Sequence, residues 1–190
     1  MSVQMSAQLA RKLITTAEYH QMIEAGVFDE NNRIELIEGE FYEMFAIGPR
    51  HSATVIRLIE LLIAQLKGIA MVSVQNPVEL SQYSEPEPDI TLLKRRADYY
   101  AESHPSPSDV LAVVEVADTS LQKDRSLKLP AYARAEIPEV WLIDLQNDRI
   151  EIHSQPGSGI YQEVRIVLRG QPVVSKAIPQ LQLTADDILG

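Results

Sequence analysis

The stretch Val110-Leu111-Ala112-Val113-Val114-Glu115-Val116 is an apolar run that a single carboxylate interrupts. Apolar side chains at consecutive positions are typical of a central strand that is covered on both faces of a sheet. Upstream, Pro88-Asp89 opens a second apolar segment, Ile90-Thr91-Leu92-Leu93. The sequence therefore predicts that Asp89 and Glu115 are both carried by sheet strands.

A carboxylate in a buried strand needs a partner, because burying it alone costs on the order of several kcal/mol. If the strands of Asp89 and Glu115 are neighbours, their backbones lie about 4.8 Å apart. Two carboxylates at this spacing suit a hard divalent cation such as Mg²⁺, which binds one or two protein carboxylates and keeps water or substrate phosphate in its other positions.

Length and composition favour a single domain over residues 1–190, with enough apolar residues to form a core. No apolar run reaches the roughly 20 residues of a membrane span, and the opening residues lack the pattern of a secretory leader. The chain has no cysteine, which excludes disulfides and thiolate metal sites. We therefore expect a cytoplasmic protein with no membrane partner.

The net charge of −10 argues against a broad nucleic-acid-binding face.

Periodicity and breaker residues predict an N-terminal helix and hairpin, then alternating helices and strands. The box Thr15-x-x-Glu18 caps the first helix, and Gly26 ends it. A hairpin turns at Glu38-Gly39. Further helices are predicted over 51–67 and 123–135, the second containing Pro130. Strands are predicted over 70–75, 77–80, 110–116, 139–145, 149–153 and 161–168, with a short strand and a turn over 181–189.

The order Pro88-Asp89, Glu115-Val116-Ala117, Lys128 resembles the PD-(D/E)XK nuclease superfamily. The surrounding sequence is similar to the Uma-type restriction endonuclease family. The matching stretches are Glu38-Gly39-Glu40, His51, Pro86-Glu87-Pro88-Asp89-Ile90, Val114-Glu115-Val116, Ser120, Asp124-Arg125, Lys128, Tyr132-Ala133 and Glu139-Val140-Trp141-Leu142-Ile143-Asp144. One position departs from the superfamily pattern: its lysine normally stands two residues after the glutamate, where this chain has Ala117. In the Uma-type family a lysine on the next helix is expected instead, which here is Lys128.

This resemblance implies an α/β fold of mixed α+β type, with a restriction-endonuclease-like central mixed β-sheet flanked by helices. It implies an endonuclease that hydrolyses phosphodiester bonds, with DNA as the expected partner and Mg²⁺ as the cofactor, or Mn²⁺ in its place. Asp89 and Glu115 would bind the metal, and Lys128 would steady the attacking water or the developing charge. Glu40 and His51 match the family near the cleft and are accessory candidates. A homodimer is expected, because cutting both strands calls for two sites.

Alternative interpretations remain open for each of these residues. Asp89 could have the structural role of accepting hydrogen bonds from amides at the strand entry. Glu115 could have the structural role of pairing with an arginine or a lysine. Lys128 could form an exposed ion pair with Asp124, four residues earlier on the same helix. Glu40 could be solvated after its turn, and a histidine such as His51 could cap its helix. The whole chain could then be a catalytically silent nuclease-fold module that acts in protein interaction.

Other site types find no support in the sequence. His20, His104 and His153 occur in different predicted elements and are not expected to form a zinc site. The chain has no glycine-rich phosphate loop and no Gly-x-Ser-x-Gly elbow. Neither a nucleotide cofactor nor serine hydrolysis is therefore expected.

Overall fold

The computed structural model describes residues 11–28, 33–44 and 46–190. Its helices are α1 (Thr16–Glu24), α2 (Pro49–Leu66), α3 (Leu121–Lys123), α4 (Leu129–Arg134) and α5 (Ala185–Leu189). Its strands are β1 (Ile34–Ile37), β2 (Glu40–Glu43), β3 (Met71–Val74), β4 (Ile90–Leu93), β5 (Val110–Ala117), β6 (Glu139–Asp144), β7 (Arg149–Gly157), β8 (Ile160–Leu168), β9 (Pro172–Val173) and β10 (Leu183–Thr184). A 3₁₀ turn spans Pro107–Asp109, and a π-helical segment, Asp124–Lys128, joins α3 to α4. The opening residues, on which the expectation of no leader rests, lie outside the described ranges.

A six-stranded mixed sheet in the order β3-β4-β5-β6-β7-β8 forms the centre of the fold. β5 and β6 are parallel, and every other neighbouring pair in this sheet is antiparallel. The parallel pair requires a crossover connection, which α3, the π-helical segment and α4 provide. This architecture confirms the predicted central mixed sheet flanked by helices.

Both faces of the sheet are covered, as the unbroken apolar run of β5 predicts. On one face, Leu58 and Leu62 of α2 and Ile188 of α5 pack against a cluster that includes Val114 and Trp141. On the other face, side chains from α4 and from the β1–β2 hairpin pack against Val113, Ala117, Val140 and Leu142. Glu115 lies between Val113 and Ala117 in β5. Its side chain therefore points to the same face as theirs, toward α4.

The N-terminal helix and hairpin are as predicted. Thr15 caps α1, and its side chain accepts a hydrogen bond from the Glu18 amide while the Glu18 carboxylate bonds back to Thr15. β1 and β2 are joined at Glu38 and Gly39, both at positive φ. A side chain at Gly39 would also clash, because its Cβ would lie 2.6 Å from the Leu13 Cβ. The predicted second hairpin strand extends to residues 45 and 46, of which residue 45 lies outside the described ranges.

Three secondary-structure predictions were wrong in detail. The turn predicted after the short strand in 181–189 is the helix α5, which Thr184 caps. Residues 77–80 form no strand, because the amides of Val78 and Leu80 bond to the carbonyls of Pro86 and Ser84 in the adjoining loop instead of to a sheet neighbour. The helix predicted over 123–135 begins earlier, at Leu121. Pro130 is accommodated at the start of α4, where its missing N–H is tolerated after the π-helical segment. Among the described residues, the helices are all too short or too polar to cross a membrane.

Candidate active site

A pocket of about 120 Å³ lies where the N-terminal end of β4 meets the C-terminal end of β5. Its described lining is rich in charge: the carboxylates are Glu35, Glu87, Asp89, Glu115, Asp118 and Asp124, and the basic residues are Arg33, Lys123, Lys128 and His51. Gly48, Thr119 and Ser120 complete much of the wall. Carboxylates outnumber lysines and arginines, so the pocket favours a bound cation.

Asp89 and Glu115 lie side by side in this pocket. Ile90 pairs with Val114 in the sheet, which places Asp89 opposite Glu115, and the Asp89 amide lies 3.4 Å from the Glu115 Oε2. The Asp89 Oδ2 accepts a hydrogen bond from the Val116 amide at 2.8 Å and contacts the His51 Nε2 at 3.0 Å. Both residues line the same pocket, as a shared site requires.

Lys128 projects from the π-helical segment into the same pocket. Its Nζ donates to the Glu115 Oε1 at 3.1 Å and to the Glu87 carbonyl at 3.3 Å, and it lies 3.2 Å from the Glu35 Oε2. Lys128 and Asp124 are each only 4% exposed, so the alternative of an exposed ion pair between them is wrong. Both lie within the π-helical segment, a feature that is frequent at functional sites.

The Ala117 position explains why the lysine comes from the helix. Ala117 is completely buried and belongs to the cluster that packs against α4. A lysine there would have to displace this packing, whereas the crossover helix passes over the same face and delivers Lys128 to Glu115 directly. The displaced lysine thus reaches the glutamate beside which the superfamily pattern expects one.

Burial and the excess of carboxylates in the pocket shift the pKa values of Glu115 and Lys128. Burial raises the pKa of Glu115 to about 8; Lys128 opposes this shift, and the carboxylates of Asp124 and Asp89 add to it. Burial alone would lower the pKa of Lys128, but Glu115, Glu35, Asp124 and Asp89 together raise it well above its ordinary range. Lys128 therefore stays charged at neutral pH, yet one lysine does not neutralise the carboxylates around it.

Tyr132 and Glu35 contact the candidate site residues, and sequence reasoning assigned neither of them. The Tyr132 hydroxyl donates to the Glu115 Oε1 at 2.6 Å, and it is fully buried on α4. The Glu35 Oε1 accepts from the Lys123 Nζ at 2.6 Å. Burial opposes ionisation of Glu35, but Lys128 and Lys123 outweigh it and lower the pKa of this carboxyl. Glu35 carries the signal that identified Glu115, a carboxylate between apolar residues of a strand, here Ile34 and Leu36.

Of the two accessory candidates, only His51 lines the pocket. Its contact with Asp89 is the main cause of a raised pKa, against the opposing effect of burial. The His51 Nδ1 is buried and has no hydrogen-bond partner among the described residues. Glu40, by contrast, pairs with Arg11 at 2.6 Å and accepts from the Tyr42 hydroxyl at 2.9 Å, outside the described lining. Glu35, from the paired strand, takes the place in the pocket that was expected of Glu40.

Two of the histidines that sequence reasoning placed in different elements lie close together in the structure. His20 and His104 come together with Glu85, and one ligand atom from each of the three residues lies within 4.8 Å of the other two. His153 lies elsewhere, in β7, where it contacts the Glu151 Oε2 at 3.3 Å.

A mixed sheet covered on both faces, with an acidic pocket at the ends of two central strands, defines a protein of the restriction-endonuclease-like α/β class. The family model described as "Uma2: Putative restriction endonuclease" matches residues 16–186, and the chain belongs to that family. The description of this family indicates a nuclease, which is a hydrolase that acts on nucleic acid.

Among solved structures, the chain is similar to one titled as a putative nuclease belonging to DUF820 from Anabaena variabilis, with a TM-score of 0.74. The two chains are 16% identical, and the match covers 93% of this chain and 97% of the other. At 16% identity, this match shows that the two chains share a fold. No curated protein matches the chain.

Proposed function

We propose that the protein is a Mg²⁺-dependent endonuclease that hydrolyses phosphodiester bonds in DNA, with Mn²⁺ able to replace Mg²⁺. The observation that carries this proposal is the convergence of Asp89, Glu115 and Lys128 in one acidic pocket, in the chain order of the family. The membership of the chain in a family of restriction endonucleases supports the same reaction class.

The donor set fits a hard cation. Asp89 and Glu115 supply oxygen atoms, the class of ligand that Mg²⁺ prefers. The hydrogen bonds from Lys128 and Tyr132 both go to the Glu115 Oε1, while the one hydrogen-bonding contact of the Oε2 with the described residues is the 3.4 Å contact with the Asp89 amide. Asp89 and Glu115 would thus hold the cation. When bound, the cation would polarise the scissile phosphate and lower the pKa of an attacking water.

The protein's own groups have distinct tasks in this proposal. Lys128 is a permanent cation, so it stabilises negative charge on the reacting phosphate or holds the water, and it does not act as a general base. Tyr132 fixes one oxygen of Glu115. His51 fixes the Asp89 Oδ2 through its Nε2. The His51 Nδ1 is buried and lacks a hydrogen-bond partner in the described part of the chain, so a water molecule would satisfy it.

The second candidate function is a catalytically silent nuclease-fold module that binds other proteins. The net charge of −10 favours it, because phosphate binding usually draws on basic surface. Calorimetric titration with Mg²⁺ or Mn²⁺ separates the two. An active nuclease should bind the cation, Asp89→Asn and Glu115→Gln should each remove that binding, and the exposed control Glu60→Gln should keep it. A silent module should show no binding that the two pocket variants abolish.

We further propose that the chain is a single cytoplasmic domain that acts as a homodimer. A dimer presents two sites to the two strands of DNA, and most homodimers use two-fold symmetry. Light scattering after size exclusion tests this. A mass of twice 21.3 kDa is expected, and a monomer at working concentration would contradict it.

A further inference from the structure

We propose that His20, Glu85 and His104 form a second metal site, separate from the acidic pocket, that binds a transition-metal dication of the Zn²⁺ type. The sequence gives no zinc spacing for these residues, because they come from α1, from the loop before β4 and from the loop before the 3₁₀ turn. The site does not depend on the proposed nuclease activity.

The distances bring the three ligands close to a metal-binding arrangement. The His20 Nε2 lies 2.9 Å and 3.1 Å from the two carboxylate oxygens of Glu85. Ligand atoms from all three residues lie within 4.8 Å of one another. Bonds of about 2.1 Å to a tetrahedral zinc ion place ligand atoms roughly 3.4 Å apart. A small movement of the His104 ring closes the remaining gap, and that residue is exposed and free to make it.

The backbones that carry these ligands are held by other contacts. The Glu85 amide bonds to the Leu36 carbonyl at 2.7 Å, and Pro86 and Pro88 stiffen the loop that follows it. Next to His20, the Tyr19 hydroxyl bonds to the Ile34 carbonyl at 2.6 Å. Next to His104, the Pro105 carbonyl accepts from the Glu79 amide at 3.0 Å. The positions of the ligands are thus largely preset, which reduces the entropic cost of binding.

Burial and ligand type select the class of ion. Glu85 is only 3% exposed, and a carboxylate buried to this degree needs a polar partner, which is His20 here and would be a metal held jointly with His20 in the bound state. Imidazole nitrogens suit zinc, copper, nickel and iron, whereas Mg²⁺ prefers oxygen ligands. Two histidines and one glutamate form a known three-residue set for zinc that leaves a fourth position for water. Because His104 is exposed, that fourth position would face solvent.

A metal here would tie three separate segments together. Glu85 lies four residues before Asp89, on the loop that leads into β4. A bound ion would connect this loop to α1 and to the 101–106 region, and it would stabilise the folded chain by mass action.

The test is a calorimetric titration of the full chain with ZnCl₂ after EDTA treatment. It is run in an Asp89→Asn background, so that the acidic pocket does not account for the binding. One Zn²⁺ per chain should bind with micromolar or tighter affinity. His104→Asn, which changes an exposed side chain, should weaken this binding at least tenfold, and so should His20→Asn. Glu102→Gln, an exposed change on the same loop, is the matched control and should leave the affinity unchanged.

A second readout identifies the ligands directly. In NMR spectra, Zn²⁺ should shift the ring signals of His20 and His104 and leave those of His153 in place. The proposal is overturned if the chain binds Zn²⁺ only at millimolar concentration. It is equally overturned if both histidine variants bind Zn²⁺ as the parent does. Because neither readout uses DNA cleavage, failure of the zinc site is distinguishable from failure of the nuclease proposal.

Discussion

Lys128 is the residue whose proposed catalytic role most needs a test, because it replaces a lysine that the superfamily places two residues after the glutamate. Its ammonium contacts both Glu115 and Glu35 in a buried setting. The Lys128→Met variant should cleave DNA at least about 10²-fold more slowly, a loss typical of removing one preorganised charge. It should also be less stable by about 3–5 kcal/mol, because two buried carboxylates lose a partner.

The matched control is Lys94→Met, which removes an exposed lysine. Urea unfolding and single-turnover cleavage of plasmid DNA measure the two effects separately. If Lys128→Met cleaves DNA as fast as wild type, the lysine has no role in the mechanism. Cleavage lost in equal measure in Lys94→Met would show that general charge, and not the pocket, is responsible.

His153 provides a pH-dependent prediction away from the pocket. Burial lowers the pKa of His153 below its ordinary value near 6.5, although Glu151 opposes this shift. A histidine with a lowered pKa in the folded state stabilises the fold above the unfolded pKa, and that contribution is lost as pH falls. Stability should therefore decline as the pH falls below about 6.5. The His153→Gln variant should show a flatter decline.

NMR titration of the four histidine rings checks the cause of this decline. The His153 ring should titrate below the value of a free histidine. A ring that titrates at or above that value would contradict the burial argument, even if the stability curve had the expected shape.

At the scale of single elements, α1 was the easiest to predict because its signals are local. The capping box of Thr15 and Glu18 satisfies amides that have no partner inside the helix. Thr15→Ala should therefore lower the free energy of unfolding by about 1 kcal/mol. Urea unfolding measures it, with Thr119→Ala as a comparison that removes a threonine outside any helix. Equal stability of Thr15→Ala and wild type would mean that the cap contributes nothing.

The crossover helix was predicted as an element but not in its geometry. Periodicity identifies a helix, and the Asp124-x-x-x-Lys128 spacing suggests a surface pair on a regular α-helix. The π-helical segment changes which side chains face the sheet, and no local signal in the sequence specifies such a segment. Burial of Asp124 and Lys128 depends on packing against β5, which is a property of the tertiary structure.

Tyr132 links this helix to the chemistry of the site. Its hydroxyl holds the Glu115 Oε1, so Tyr132→Phe leaves a buried carboxylate with one donor fewer. The variant should have a free energy of unfolding lower by about 1–3 kcal/mol, and it should cleave DNA more slowly. Thermal unfolding and cleavage rates measure both effects. Tyr161→Phe, which removes a hydroxyl bonded to the Ile137 carbonyl, should affect stability alone. A Tyr132→Phe variant with undiminished cleavage would deny the tyrosine a part in positioning Glu115.

At the scale of the whole molecule, the apolar runs of β5 and β6 predicted that both faces of the sheet are covered, and the family resemblance predicted its mixed strand order. The sequence also offered Asp89 and Glu115 as candidate site residues, since each is a carboxylate attached to an apolar strand, and the structure places both in one pocket. Glu35 carries the same signal, whereas the family resemblance points to Glu40, which lies in the partner strand of the hairpin. The sequence does not predict that His20, Glu85 and His104 meet, because this depends on how α1 packs against two loops that are distant in the chain.

The central claim is that Asp89 and Glu115 hold a cation that supports DNA hydrolysis, and cleavage of supercoiled plasmid DNA tests it most directly. The purified chain is incubated with Mg²⁺ or Mn²⁺, beside Asp89→Asn, Glu115→Gln and the control Glu60→Gln. Wild type and Glu60→Gln should nick or linearise the plasmid in a metal-dependent way, and the two pocket variants should not. Cleavage that persists unchanged in the pocket variants, or no cleavage by wild type with either metal, would contradict the account.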